Sequence, residues 1–185
     1  MLLTALIILP LVFAAITALW PNEKTLRPLA FGLSLIEFIL SLSLFLKFDS
    51  GSAALQMVER YSWIPRFGVT YFVGIDGLSL WLVLLTTFLT PIIILGSWKS
   101  IETRIRGFHA AMFVLQTAMI GTFLAIDAVL FYLFWELSLV PMYFIVGIWG
   151  GNRRIYAALK LFIYTMLGSV LMLIAVLITM ARGML

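Results

Sequence analysis

Two carboxylates in this sequence stand where a carboxylate is costly. Glu37 lies about ten residues into one long apolar run and Glu136 about eight into another, each run long enough to cross a bilayer. An ionised acid at such depth costs roughly 2.5–3.5 kcal/mol on insertion scales. A carboxyl retained there faces other helices or a hydrated cavity, and carrying a proton is the default chemistry to consider for it.

Glu136 has the richer surroundings. It stands in Phe131-Tyr132-Leu133-Phe134-Trp135-Glu136-Leu137-Ser138-Leu139-Val140-Pro141-Met142-Tyr143. Pro141 has no N–H to give the carbonyl of Leu137, so one backbone acceptor is freed next to the carboxylate. Inside a bilayer that acceptor needs water or a hydroxyl. Tyr132 precedes Glu136 by four residues and shares its helix face. An opposite charge favours an ionised acid and desolvation favours its neutral form, so a cation that approaches and withdraws would load and unload this site. Glu136 is therefore the expected proton carrier, Tyr132 a candidate relay, and Trp135 and Pro141 the residues that shape the site. The competing reading is a neutral glutamate that only hydrogen-bonds a neighbouring helix.

Glu37 is the secondary candidate. Its flanking Ser34 and Ser41 offer a purely structural, hydrogen-bonding explanation, and that alternative stands beside a functional one. Lys160 begins the sixth apolar run and has two readings: a side chain snorkelling to the interface, or a relay at the entry to the path. At a rise of 1.5 Å per residue, it and Glu136 are separated along the bundle by about 10–15 Å, too far for a direct ion pair. His109 reads as an interfacial hydrogen-bonder.

The remaining composition excludes most other chemistry. No cysteine is present, which removes disulfides, thiolate catalysis and iron–sulfur ligation, and a single histidine makes an imidazole metal or haem site improbable. No cofactor is expected on this chain. No glycine-rich nucleotide loop or metalloprotease motif occurs. The net charge of +4 does not point to nucleic acid, because the basic residues fall in connections between apolar runs.

What must position these groups is a set of membrane helices. Of 185 residues, 64% are hydrophobic and 11% charged, with a mean hydropathy of +1.16. A soluble chain carries about 25% charged residues, so there is too little charge here to cover a solvated surface. The expected fold is all-α, a single polytopic bundle of six spans at 2–20, 28–46, 76–97, 108–126, 128–149 and 158–180. Pro28 is placed in the first turn of the second span. Asp76 and Asp127 sit where a carboxylate caps a helix, and Glu23, Asp49, Glu59 and Glu102 fall in polar connections. The long connection through Trp63-Ile64-Pro65-Arg66-Phe67-Gly68 is too apolar for a disordered loop and is expected to lie at the interface. The fourth and fifth spans, joined at Asp127, form a tight antiparallel pair.

Loop charge orients the bundle. Lys24, Arg27, Lys99, Arg104, Arg106, Arg153 and Arg154 share one side, against Lys47, Arg60, Arg66 and Arg182 on the other. The positive-inside rule makes the first group cytoplasmic and leaves the N-terminus outside.

Several stretches resemble a known family. These are Trp63 to Gly68, Ile75-Asp76-Gly77-Leu78-Ser79-Leu80, Phe123-Leu124-Ala125-Ile126-Asp127, the Trp-Glu and Val-Pro-Met-Tyr run from Phe131 to Tyr143, and Lys160-Leu161-Phe162-Ile163-Tyr164-Thr165. Together they look like the N-terminal part of the antiporter-like subunit M, or chain 4, of proton-translocating NADH–quinone oxidoreductase. The resemblance implies that Glu136 is a key residue of a proton path, partnered by a lysine on a broken seventh helix. It implies that NADH, FMN, iron–sulfur clusters and quinone act on other subunits, and that the membrane partners are the antiporter-like L and N subunits. It also implies a bacterial inner membrane as the location. The family's chain is more than twice as long, so the chain is expected to be truncated and not to pump by itself. A subunit of a Mrp-type cation/proton antiporter or a membrane-bound hydrogenase shares the same scaffold. A non-conducting structural or assembly protein is the alternative from a different class.

Overall fold

The computed structural model describes residues 1–52 and 54–183. Six α-helices run in chain order: α1 (Leu2–Leu19), α2 (Glu23–Lys47), α3 (Gly77–Gly96), α4 (Ile105–Leu124), α5 (Ala128–Trp149) and α6 (Arg154–Ala181). All six are long and apolar enough to span a membrane. A hairpin of β1 (Gln56–Ile64) and β2 (Val69–Ile75) sits between α2 and α3. One end of the bundle thus carries the hairpin and the other carries the short loops rich in lysine and arginine.

Three helices start earlier than expected, and for α2 the reason is a cap. Asn22 caps α2 by accepting from the Lys24 N–H at 3.0 Å, so the helix begins at Glu23. Pro28 then lies in the second turn, where its missing N–H leaves the Lys24 carbonyl without a helical partner. Likewise α4 begins at Ile105 and α6 at Arg154, three and four residues before the expected starts of 108 and 158. Lys160 therefore sits about 9 Å into its helix.

The hairpin was not expected. β2 is the sequence Val-Thr-Tyr-Phe-Val-Gly-Ile, rich in the β-branched and aromatic residues that favour strands. The turn closes through a short 3-10 segment, Pro65–Phe67, and Gly68 at φ 68°, a left-handed conformation that glycine adopts without a Cβ penalty. The strands pair antiparallel, with Tyr61 opposite Tyr71, and a register shift interrupts β1 between Gln56 and Glu59.

Glu59 shows what the hairpin does. It was expected in a polar connection, yet it is buried. Helix α1 has no side-chain cap of its own, and Glu59 supplies one from 56 residues away, accepting from the Leu3 N–H at 3.0 Å. The Thr4 hydroxyl and the amino group of Met1 also bond its carboxylate. Burial alone pushes this carboxyl up, but the bonds from Met1, Thr4 and Leu3 outweigh it and hold the group below the ordinary glutamate range. A negative charge at a helix N-terminus also complements the helix dipole.

Asp127 ties the hairpin to α5. Its Oδ1 accepts from the Val129 and Leu130 N–H groups at 2.9 and 3.2 Å, capping α5. Its Oδ2 accepts from the Thr70 N–H of β2 at 2.9 Å. Asp76 caps α3 in the same manner through the Ser79 N–H at 2.7 Å. At the loop end, Arg27 donates to the Ile101 carbonyl and Arg106 to the Pro21 carbonyl. Hence two of the loop cations, Arg27 and Arg106, also close that end of the bundle.

Helices α1 to α4 pack as one group around α4, α5 packs against α4, and α6 packs against α5. The α4–α5 approach is close: a Cβ added at Gly121 would overlap the Phe134 ring. Two apolar clusters fill the interior. One, near the hairpin, includes Leu3, Leu6, Leu44, Leu84, Ile120 and Leu130. The other, nearer the loops, comprises Phe13, Ala14, Ala30, Ile94 and Phe113.

Candidate proton-carrying site

Glu136 lies in the third turn of α5, eight residues beyond the Asp127-capped start of that helix. Its carboxyl is half-buried, and Oε1 is enclosed with no hydrogen-bond partner among the described residues. Pro141 is buried inside the same helix, so the freed Leu137 carbonyl stands one residue from the acid. Tyr132, on the same face, has its hydroxyl near the Glu136 carboxyl and the Ser169 hydroxyl of α6. Trp135 is exposed on the outer side of α5, where its ring stacks on Phe131 at 6.0 Å. The structure therefore brings Glu136, Tyr132 and the proline break together. It adds Ser169, which the sequence did not single out because hydroxyls are frequent on α6.

Lys160 does not reach this group. It is exposed, with its ammonium over the rings of Tyr156 and Tyr164 at 5.9 and 5.7 Å. Two contacts fix the α5–α6 register: Tyr143 meets Phe162 with centroids 5.6 Å apart, and Gly147 faces Ala158. Counting along each helix from either contact puts Glu136 and Lys160 about 13 Å apart on the bundle axis.

Glu37 is fully buried on α2, and neither carboxylate oxygen has a partner among the described residues. The flanking serines do not supply one. Ser34 donates to the Phe31 carbonyl, and Ser41 donates to the Phe38 carbonyl and pairs with Thr87 of α3 at 2.7 Å. His109 sits near the start of α4 at the loop end, buried between helices, with Nδ1 on the Ile105 carbonyl at 2.9 Å and Nε2 unpartnered. Gln116 and Thr117 of α4 were overlooked. Both are buried with unpartnered polar atoms, and the signal was available: a glutamine inside an apolar span. Among the described residues no three His, Cys, Asp or Glu side chains gather as a metal site.

The class these features define is a polytopic membrane bundle of six helices, with an acid beside a proline break and polar side chains buried between the helices. Residues 5–126 match the family model described as NADH-ubiquinone oxidoreductase chain 4, amino terminus. Residues 125–183 match NADH:quinone oxidoreductase/Mrp antiporter, TM. The chain belongs to this family. NADH-quinone oxidoreductase subunit M of Rhodobacter capsulatus is 44% identical over 180 residues, which cover 94% of this chain and 35% of the relative. F(420)H(2) dehydrogenase subunit M of Methanosarcina mazei is 44% identical over 171 residues, 92% of this chain and 34% of the relative. Among solved structures, respiratory complex I from Thermus thermophilus with bound NADH contains a chain that superposes with a TM-score of 0.82 at 28% identity, covering 96% of this chain and 35% of that one. The chain thus spans about a third of the length of the relatives it matches.

Proposed function

We propose that this chain takes part in proton translocation coupled to electron transfer from NADH to quinone, as a membrane subunit of an NADH–quinone oxidoreductase, with Glu136 as the buried proton carrier. The observation that carries the reading is the Glu136 carboxyl itself: enclosed at Oε1, beside the backbone acceptor that Pro141 frees, and within interacting range of Tyr132. A carboxyl so placed releases and takes up a proton through water or the phenol rather than through a fixed salt bridge. Lys160, about 13 Å away along the axis, serves as a relay toward the loop end. The loop end faces the cytoplasm, by its excess of lysine and arginine, and the N-terminus lies outside, in a bacterial inner membrane. NADH, FMN, iron–sulfur clusters and quinone act on other subunits, and antiporter-like L and N subunits flank this one.

The test is Glu136→Gln in the whole protein within its assembled complex, read as proton uptake by inverted vesicles during NADH oxidation. Loss of coupled uptake with the complex still assembled is the expected result. Intact uptake would move Glu136 to a purely structural role. The Mrp-type cation/proton antiporter is a second reading, favoured by the wording of the matched family model. Sodium-dependent flux without NADH oxidation would select it.

A further inference from the structure

The buried polar atoms without partners are not scattered. Between the two apolar clusters, each of the first four helices changes character at the same depth. Helix α1 places Pro10 between Ile7 and Phe13, and α2 places Ser34, Glu37 and Ser41 between Ala30 and Leu44. Helix α3 places Thr87, Thr90 and Pro91 between Leu84 and Ile94, and α4 places Gln116 and Thr117 between Phe113 and Ile120. The Ser41–Thr87 bond at 2.7 Å pins α2 to α3 inside this layer. Pro10 and Pro91 free the carbonyls of Leu6 and Thr87 into the same region.

Within that layer both oxygens of Glu37, both amide atoms of Gln116 and the Thr117 hydroxyl are buried and have no partner among the described residues. Buried polar groups are nearly always satisfied, and where no side chain or carbonyl serves, ordered water does. Nor, among the described residues of these four helices, is there a counter-charge within reach. Helices α1 and α3 carry no ionisable side chain. Those of α2 besides Glu37, namely Glu23, Lys24, Arg27 and Lys47, lie at its two ends, and α4 offers Arg106 and His109 near its start. His109 precedes Gln116 by seven residues, about 10 Å nearer the loop end. An acid in this setting is held by a proton rather than by a cationic side chain.

The register also sets this layer beside Glu136. Gly121 faces Phe134, so Thr117 and Glu136 differ by only about 3 Å in depth on the antiparallel pair α4 and α5. Gln116 and Thr117 are adjacent on α4, the helix that packs against both groups.

We propose that this layer is a second proton-binding site, built on Glu37 and hydrated through Gln116 and Thr117, at the depth of Glu136 on the other side of α4. Protons enter it from water that the Gln116 amide and the Thr117 hydroxyl hold. The inference does not depend on Glu136 being the carrier.

The experiment is infrared difference spectroscopy on the purified complex containing the whole protein, reconstituted in liposomes and compared with Glu37→Gln. The wild type is expected to show the C=O stretch of a protonated buried carboxyl that shifts in D2O, and Glu37→Gln loses it. Glu136→Gln keeps the band, which separates this site from the carrier reading. Gln116→Leu, with Glu37 intact, moves the band toward that of a less hydrogen-bonded acid and slows its D2O shift. The proposal is overturned if the wild type and Glu37→Gln spectra do not differ, if the band ignores D2O, or if added sodium removes it, which would make the layer a cation site.

Discussion

Tyr143 of α5 meets Phe162 of α6 edge to face, ring centroids 5.6 Å apart. That contact, with Gly147 against Ala158, fixes how far Lys160 stands from Glu136. The chain has no cysteine, so introduced pairs report the register directly. A Cβ built at Gly147 would lie 3.5 Å from that of Ala158, at the short edge of disulfide geometry. Gly147→Cys with Ala158→Cys is expected to cross-link on mild oxidation, and Glu136→Cys with Lys160→Cys is not. Cross-linking of the second pair in gel-shift assays would show that the helices slide by two turns.

Asp127 caps α5, the helix of Glu136, with one oxygen and holds the hairpin with the other. Asp127→Ala removes the α5 cap and is expected to destabilise the protein by about 0.5–2 kcal/mol, with the loss of the Thr70 bond in addition. Asp127→Asn keeps an acceptor for Val129 and Leu130 but turns an N–H toward the Thr70 N–H. Unfolding in detergent is therefore expected to rank wild type, Asn, Ala in falling stability. Equal stability of all three would mean that the bonds to Asp127 contribute nothing net.

The close approach at Gly121 makes a steric prediction. Gly121→Ala forces the Phe134 ring aside, and overpacking of this kind costs about 1–3 kcal/mol. Phe134→Leu is expected to recover part of that loss, so the double variant falls short of the sum of the singles. Strict additivity of the two changes in melting experiments would show that α4 and α5 are not in contact there.

The six helices were legible because membrane helices need long apolar runs, and the chain has little else. The hairpin was not. Glu59, Arg60 and mostly exposed neighbours mask the strand pattern of β1, and its pairing partner lies beyond a turn that reads as interfacial. Glu59 itself looked ordinary because its contacts with Leu3 and Thr4 cross more than fifty residues, a separation no local pattern encodes. At the site, Glu136, Tyr132 and Pro141 share one stretch of sequence and were found together. The Glu37 layer draws on four helices and was only half visible. Ser34 and Ser41 offered one structural explanation for it, but a serine inside a helix bonds the preceding turn more readily than a neighbour three or four residues along, as both do here. The α2 start was missed because Pro28 was weighed above Asn22, and the cap decided it.

Glu59 gives the hairpin end of the bundle an acid-sensitive joint. Its folded-state carboxyl is held below the ordinary value of 4.5 by the Met1 amino group, the Thr4 hydroxyl and the Leu3 N–H, which outweigh burial. The unfolded chain therefore binds its proton at a higher pH than the folded one. The contribution to stability is complete above the ordinary value and is lost as pH falls through the lower, folded-state value. Proteolysis between the hairpin and α1 is the measurement, because it reads local opening. The protein is expected to resist cleavage near pH 7 and to lose resistance as pH drops below the usual carboxylate range. Glu59→Gln removes the charge at every pH, so this variant is expected to be cleaved faster than wild type at neutral pH and at a similar rate in acid. A constant difference between the two across that range would mean that the carboxylate charge does not hold α1 to the hairpin.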